Sequence, residues 1–358
     1  LGADGPTYAR WLRPFVDRFD DLAAATQRPM VGIPRSPVLL ARYGLPGLRS
    51  SAALAKRFET DEARGLVAGC AAHSVLPLEA PLTAAVATMF AVSAHAVGWP
   101  VAVGGSATLA SAMASLLRSL GGEIRTGHRV TSLTELPPHR VVLFDIDPHQ
   151  VEAICGDDLP GRYRSRLRSY RFGPGVFKVD HVLDGPVPWA DEWSARSATV
   201  HVGGTFAECA AAEADVAAGR HPERPFVLVA QQDVADSTRR SPEGRRTLWS
   251  YTHVPSGSTE DRTEAIERQI ERFAPGFRDR IIARETTTAV ALQEYNPALV
   301  GGDIAGGSFG RGQLFRRPRL LRPHATPNPA IYLCGASTPP GGGVHAMAGH
   351  HAARAALA

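Results

Sequence analysis

CGASTPPGGGVHAMAGHH, residues Cys334 to His351, lies almost at the end of a sequence of 358 residues. The apolar run Ile331-Tyr332-Leu333-Cys334 leads into it and predicts a short strand. Three consecutive glycines, Gly341 to Gly343, follow, and a small-residue helix is then expected to run out to Ala358. Strand, glycine loop and helix make the local architecture of a phosphate or cofactor cradle. Glycine lets backbone approach a ligand closely, and a helix N-terminus presents free N–H groups to an anion. A plain tight turn is the alternative reading of the same glycines. Gly341-x-Gly343-x-x-Ala346 formally matches a dinucleotide fingerprint. That fingerprint needs a second parallel strand after the helix, with an acidic residue about 20 positions on. Too little sequence follows Ala346 for that, so the partner of this cradle is expected before Leu1.

Working outward, the bulk composition narrows the classes. Hydrophobic residues at 44% and charged residues at 21% read as a soluble globular chain, long enough for two domains. With 39 Lys and Arg against 35 Asp and Glu, the net charge of +4 does not make a nucleic-acid protein. Cys70, Cys155, Cys209 and Cys334 form no CxxC pair, which argues against zinc knuckles and thioredoxin-type redox. Free thiols fit a reducing cytoplasm. Leu82–Val103 carries no Asp, Glu, Lys or Arg and is long enough to span a bilayer. It is mostly alanine and includes Ser93, His95 and Pro100, so a buried helix is the reading. The first residue is Leu1 rather than Met, and LGADGPTYARWLRPF reads like the entry to a helix inside a longer protein. The front of the chain is therefore expected to be missing.

Residues 1–97 read as helices punctuated by Pro34, Pro37, Pro46, Pro77 and Pro81. After Gly104-Gly105, Ser106 is the expected N-cap of a helix closed by Gly121-Gly122, with Leu109, Met113, Leu116, Leu117 and Leu120 as its core face. Short strands are expected at 123–126 and 129–133. RVVLFDIDP (140–148) then predicts a buried strand, with Asp147 capping a helix that Pro148 starts and Gly156 stops. Strands are expected at 175–183, 197–204, 224–234 and 245–255, separated by turns and one helix over 205–218, as in a mostly antiparallel sheet. A helix over 258–277 and a strand over 281–291 come next, and then a Gly- and Pro-rich loop over 296–330.

No HExxH or GxSxG motif is present, and steps of five and six residues from His345 put neither His350 nor His351 on its helix face. No metal site is expected, and His350 and His351 read as surface residues. The run Arg162, Arg164, Arg166, Arg168, Arg171 around Tyr163 and Tyr170 reads as a solvated basic helix face. No catalytic side chain is identifiable, so any chemistry is expected to be carried by a cofactor.

Three segments together, GWPVAVGGSATLASAMASLLRSLGGEIRTGHRVTSL (98–133), YRFGPGVFKVDHVLDGPVPW (170–189) and IYLCGASTPPGGGVHAMAGHHAARAAL (331–357), resemble one family. They look like the phytoene desaturase-related FAD-dependent oxidoreductases, closest to the bacterial NAD(P)/FAD-dependent branch akin to pyridine nucleotide-disulfide oxidoreductase domain-containing protein 2. The resemblance extends over essentially the whole chain. It implies an α/β (α+β) flavoprotein: a Rossmann-type FAD-binding domain built from discontinuous segments, and a substrate domain of mixed or antiparallel sheet and helices. On this pattern 1–98 is the helical part of the substrate domain and 99–156 a segment of the FAD domain. Residues 157–300 are the substrate-domain sheet and helices, and 301–358 return to the FAD domain.

The same resemblance implies that Val130 lies against the adenine and that Gly335 and Ala336 lie near the pyrophosphate and ribityl chain. Gly342, Gly343, Val344 and His345 would lie at a helix N-terminus facing the isoalloxazine edge. The family's opening strand, GxGxxG and helix have no counterpart here, which leaves the Rossmann part incomplete. The implied activity is hydride transfer from an apolar small molecule to flavin. A peripheral membrane contact is compatible with it, and nucleic acid is not an expected partner. The alternative is a non-catalytic interaction or scaffold protein that has lost FAD binding.

Overall fold

A computed structural model describes residues 1–29, 31, 36–310, 312–314 and 317–358; Pro34 and part of the 296–330 loop lie outside them. The first third is helical: α1 (Gly5–Val16), α2 (Phe19–Thr26), α3 (Pro37–Gly47), α4 (Ser51–Ala55), α5 (Asp61–Ala72) and α6 (Thr83–Ala96). Local chemistry sets several starts. Pro37 opens α3, where a missing N–H costs nothing. Ser50 and Thr60 side chains accept the Ala53 and Ala63 N–H groups and cap α4 and α5. The buried Asp4 carboxylate accepts the N–H groups of Glu59 and Thr60 and the Thr60 hydroxyl, which pins the front of the chain to the start of α5. The first part of the apolar 82–103 stretch forms α6, whereas 97–103 lies outside the helix with Val97, Trp99 and Val103 exposed, so the expected buried helix is met only in part. Ala84 and Ala87 of α6 pack on Ala63, Val67, Ala68 and Ala71 of α5, where small side chains allow close approach. Among the described residues no helix is long and apolar enough to cross a membrane.

Next come α7 (Ala107–Ser119), β1 (Val142–Phe144), α8 (Pro148–Cys155) and α9 (Gly161–Arg168). Asp147 caps α8 as the sequence indicates, its Oδ1 accepting from His149 N–H at 2.8 Å and Gln150 N–H at 3.2 Å. Three expectations fail here. Ser106 stands at the N-cap of α7 but its side chain makes no capping bond. The stripe on α7 is not a core face either: no residue of the helix is buried, and Leu116 and Leu120 are 61% and 76% exposed. The strands expected at 123–126 and 129–133 do not form, and a short 3-10 turn occupies Leu133–Glu135. A strand is fixed by its neighbour's hydrogen bonds, and the described residues place no neighbour beside this stretch.

The larger sheet contains β2 (Gly175–Leu183), β3 (Thr199–Val202), β4 (Val227–Ala230), β5 (Arg246–Val254) and β6 (Ile281–Thr287) in the order β3-β4-β5-β2-β6, every pair antiparallel. A short helix α10 (Glu192–Ala195) precedes β3, and α11 (Phe206–Ala217) follows it behind a capping box between Thr205 and Glu208. Helix α12 (Thr263–Glu271) lays Ile266 and Ile270 against Phe177, Val179, Val227 and Val229 of the sheet. Strand β6 stops at Thr287, short of the expected 291. Thr288 Oγ1 there accepts the Ala291 N–H and starts α13 (Ala289–Tyr295). Finally β7 (Ile331–Leu333) pairs parallel with β1, and α14 (Met347–Ala356) closes the sequence. Phe144, Val151, Leu159, Leu167, Ile331 and Leu333 form the core between this two-stranded sheet and helices α8 and α9.

Candidate functional site

The link from β7 to α14 is built on the end of β1. Cys334 N–H donates to the Phe144 carbonyl at 2.9 Å, which extends the parallel ladder by one bond. Gly335 follows where a Cβ would stand 3.1 Å from both Asp145 Oδ1 and the Ile146 carbonyl, so only glycine fits without displacement. Both the N–H and the hydroxyl of Thr338 then donate to the Gly335 carbonyl, closing a tight turn. The chain continues through Pro339-Pro340 to Gly341 at φ +113°.

Helix α14 begins at Met347, later than the glycines. Ala346 lies in the left-handed region at φ 52° and separates them from the helix. His345 Nδ1 accepts the Met347 N–H at 3.1 Å and so serves the helix start. This corrects the expectation that Gly342, Gly343, Val344 and His345 are the helix N-terminus. They form the loop before it, and Val344 is 95% exposed. With Nδ1 used as an acceptor, neutral His345 carries its proton on Nε2. Burial lowers its pKa below the usual value, opposed by a backbone bond to Gly341.

Two cavities flank this loop. An apolar one of about 510 Å³ lies between α2, α3 and α6 and the loop residues Phe309, Leu314, Arg317, Pro340, Gly342 and His345. Leu82, Val86, Met89 and Phe90 of the apolar 82–103 stretch line it. A more open one of about 1040 Å³ lies at the end of the β1–β7 pair. Val130, Gly335 and Ala336 all line this second cavity, whereas Gly342 and His345 line the first. Gly343 and Val344 line neither. Five of the seven candidates therefore divide between the two spaces.

Arg317, which sequence reading missed, stands where the two spaces meet. It is 1% exposed. Its Nη1 donates to the Ala336 carbonyl at 3.3 Å, its Nη2 to the Gly307 carbonyl, and its plane lies over Phe309 with the guanidinium carbon 4.4 Å from the ring centroid. Behind it, Asp303 gathers the N–H groups of Gly173, Ala305 and Gly307, and the Tyr170 hydroxyl donates to the Gly306 carbonyl at 2.9 Å. Burial raises the Asp303 pKa, opposed by these backbone bonds, and pushes Tyr170 up to about 12. Burial pulls Arg317 down, opposed by the charges of Tyr170 and Asp303, yet a guanidinium stays protonated in a protein. The only sequence signal was one more arginine in a basic stretch.

Some of the other histidines and arginines singled out in the sequence have structural partners. His350 is exposed, but His351 is not free surface: its Nε2 is 2.9 Å from the Gln27 carbonyl. Arg164 and Arg168 of the basic run converge on Glu152 of α8, so that face is partly tied down.

No family model matches the chain. It is 40% identical over 86 residues to pyridine nucleotide-disulfide oxidoreductase domain-containing protein 2 of Mus musculus, a match over 24% of this chain and 15% of that protein. It is 25% identical over 307 residues to an uncharacterised protein of Mycobacterium tuberculosis, covering 73% of this chain and 55% of the relative. The chain thus spans about half the length of the mycobacterial relative and a small part of the mouse one. In fold it is similar to a putrescine oxidase solved with putrescine (TM-score 0.55, 17% identity, 98% of this chain and 75% of that one). An oxidoreductase from Methanosarcina mazei aligns with TM-score 0.58 and 14% identity over 95% of this chain and 75% of that one. Cyclohexylamine oxidase from Brevibacterium oxydans aligns with TM-score 0.52 and 13% identity over 99% and 76%. The mixed helix-and-sheet fold is the one these oxidases and oxidoreductases share.

Proposed function

We propose that the chain is the larger part of an FAD-dependent oxidoreductase of phytoene dehydrogenase-like type, acting on an apolar small molecule. The observation that carries this reading is the junction at Ala336 and Arg317. An open cavity at the sheet end lies on one side of a glycine-built turn and an apolar cavity on the other, joined through the Arg317–Ala336 hydrogen bond. An elongated dinucleotide would have to extend along this turn, and both volumes are of the size of small-molecule sites, about 300–1,000 Å³. Similarity in fold to oxidases supports the reaction class.

Val130, Gly335 and Ala336 would hold the nucleotide end, and Gly342 and His345 would border the flavin ring. FAD, when bound, supplies a two-electron acceptor for hydride. The chain's own residues do the rest. Gly335 permits close backbone approach, and the α6 side chains Val86, Met89 and Phe90 orient an apolar body and exclude water. His345 holds a proton on Nε2 at the cavity wall. The open edge of β1 and the bare face of α7 favour further chain of the strand–GxGxxG–helix kind completing the nucleotide half. They equally favour an interaction protein, the second reading.

The test is a visible spectrum after FAD addition and gel filtration, on this chain and on the longer product wherever its reading frame continues upstream of Leu1. A co-eluting flavin band with bleaching by a reductant is expected. Folded protein without flavin in either form would leave only the interaction reading.

A further inference from the structure

The apolar cavity contains features that an apolar substrate does not explain. Arg317 lines it, is 1% exposed and keeps its charge, yet forms no ion pair with any described carboxylate. Its two terminal nitrogens are used by carbonyls, but its Nε–H has no acceptor. Ser74 lines the same cavity at 1% exposure, and its hydroxyl has no partner either. A buried guanidinium with an unmet donor is costly, and a carboxylate is the group whose geometry meets it best. Much of the rest of the wall is Leu, Met, Phe, Ala, Pro and Gly; its polar members include Thr26, Gln27, Arg28, Tyr43, Ser93 and His345, and no described lining residue is acidic. The charged residues of the described lining, Arg28 and Arg317, are both cationic, and Asp303, whose charge acts on Arg317, is not among the lining residues.

We infer that the apolar cavity takes an anionic amphiphile, a long apolar body whose carboxylate end pairs with Arg317 and hydrogen-bonds Ser74. The inference rests on the proposed oxidoreductase reading only in regarding that molecule as a substrate. It separates this chain from the amine-named oxidases that share its fold: an ammonium group here would face Arg317 in a cavity whose described lining holds no acidic residue.

Decanoate, decanol and decylamine are titrated into the chain by calorimetry, in parallel with FAD. Decanoate is expected to bind about tenfold to a hundredfold more tightly than either neutral or cationic analogue, the scale of one charged hydrogen bond. Arg317→Gln should abolish that preference, and Arg317→Lys should restore part of it. Because the three ligands are compared first on the unaltered chain, misfolding of a variant does not remove the test. Equal binding of acid and alcohol, or no measurable decanoate binding, overturns the inference. So does an Arg317→Gln chain that loses FAD but keeps the decanoate preference, since the guanidinium would then serve an anionic part of the cofactor. FAD retention without a decanoate preference sinks this inference alone. A decanoate preference without FAD retention supports the anion site and overturns the redox reading.

Discussion

His73 Nε2 of the α5 terminus and His201 Nε2 of β3 lie 3.0 Å apart, one ring stacked on Phe90 and the other beside Phe226. Only one of the two nitrogens can carry a proton in that contact, so the pair is held neutral. Burial, then the neighbouring histidines, drives His73 well below its usual pKa and His201 to about 4. A histidine whose folded pKa lies below the unfolded 6.5 takes up its proton more readily when unfolded. Its stability contribution is complete above pH 6.5 and is lost as pH falls from there toward 4, at about 1.4 kcal/mol per pH unit per histidine. Urea unfolding at a series of pH values should show this slope, and His201→Leu should flatten it. The same slope in both proteins would refute the role given to the pair.

The thiols are expected to be inert in the folded chain. Burial pushes Cys155 and Cys209 up to about 12 and Cys70 and Cys334 to about 11, so almost no thiolate exists near neutral pH. A thiol-disulfide reagent at pH 7.5 should label four cysteines in denaturant and essentially none without it. Fast labelling of Cys334, at the strand end beside Asp145, would show that the β7 turn opens.

Helix α8 should depend on its cap. Asp147→Ala removes the acceptor for the His149 and Gln150 N–H groups and should cost about 1 kcal/mol, up to about 2. Asp147→Asn should recover most of it. A loss shared by both variants would point to charge at this buried position rather than capping.

Two leucines should behave in opposite ways. Leu167 of α9 is fully buried, and Leu167→Ala should cost about 2–5 kcal/mol. Leu116 of α7 is 61% exposed, and Leu116→Glu should change stability by no more than about 0.5 kcal/mol while raising solubility. A large loss at Leu116 would mean that a second molecule covers α7 in solution.

What the sequence discloses here is whatever short-range chemistry decides. The Asp147-Pro148 start of α8, the Thr205–Glu208 box of α11 and the alternation in β2 all lie within a few residues of what they fix. Thr288 carried the same kind of signal for α13, masked by the apolar β-like run before it. Residues 123–133 read as strands because pattern records what a strand would bury, whereas pairing depends on a neighbour. The candidate loop was legible as glycines, and the cavity residue Arg317 was not. Its burial is set by Tyr170, Asp303 and Phe309, which meet only once the chain is folded.

The parallel register of β1 with β7 has a consequence for how the molecule is made. Val142 faces Ile331, so most of the chain must be synthesised before β1 meets its partner. Closing so long a loop carries an entropic cost that local helices do not, and non-local parallel pairing is slow. The antiparallel sheet between them has its own closely spaced partners and can form first on the ribosome. The glycine loop after β7 would then be the last part to acquire its shape. A nascent chain would pass through a stage with a finished antiparallel sheet and an unpaired β1.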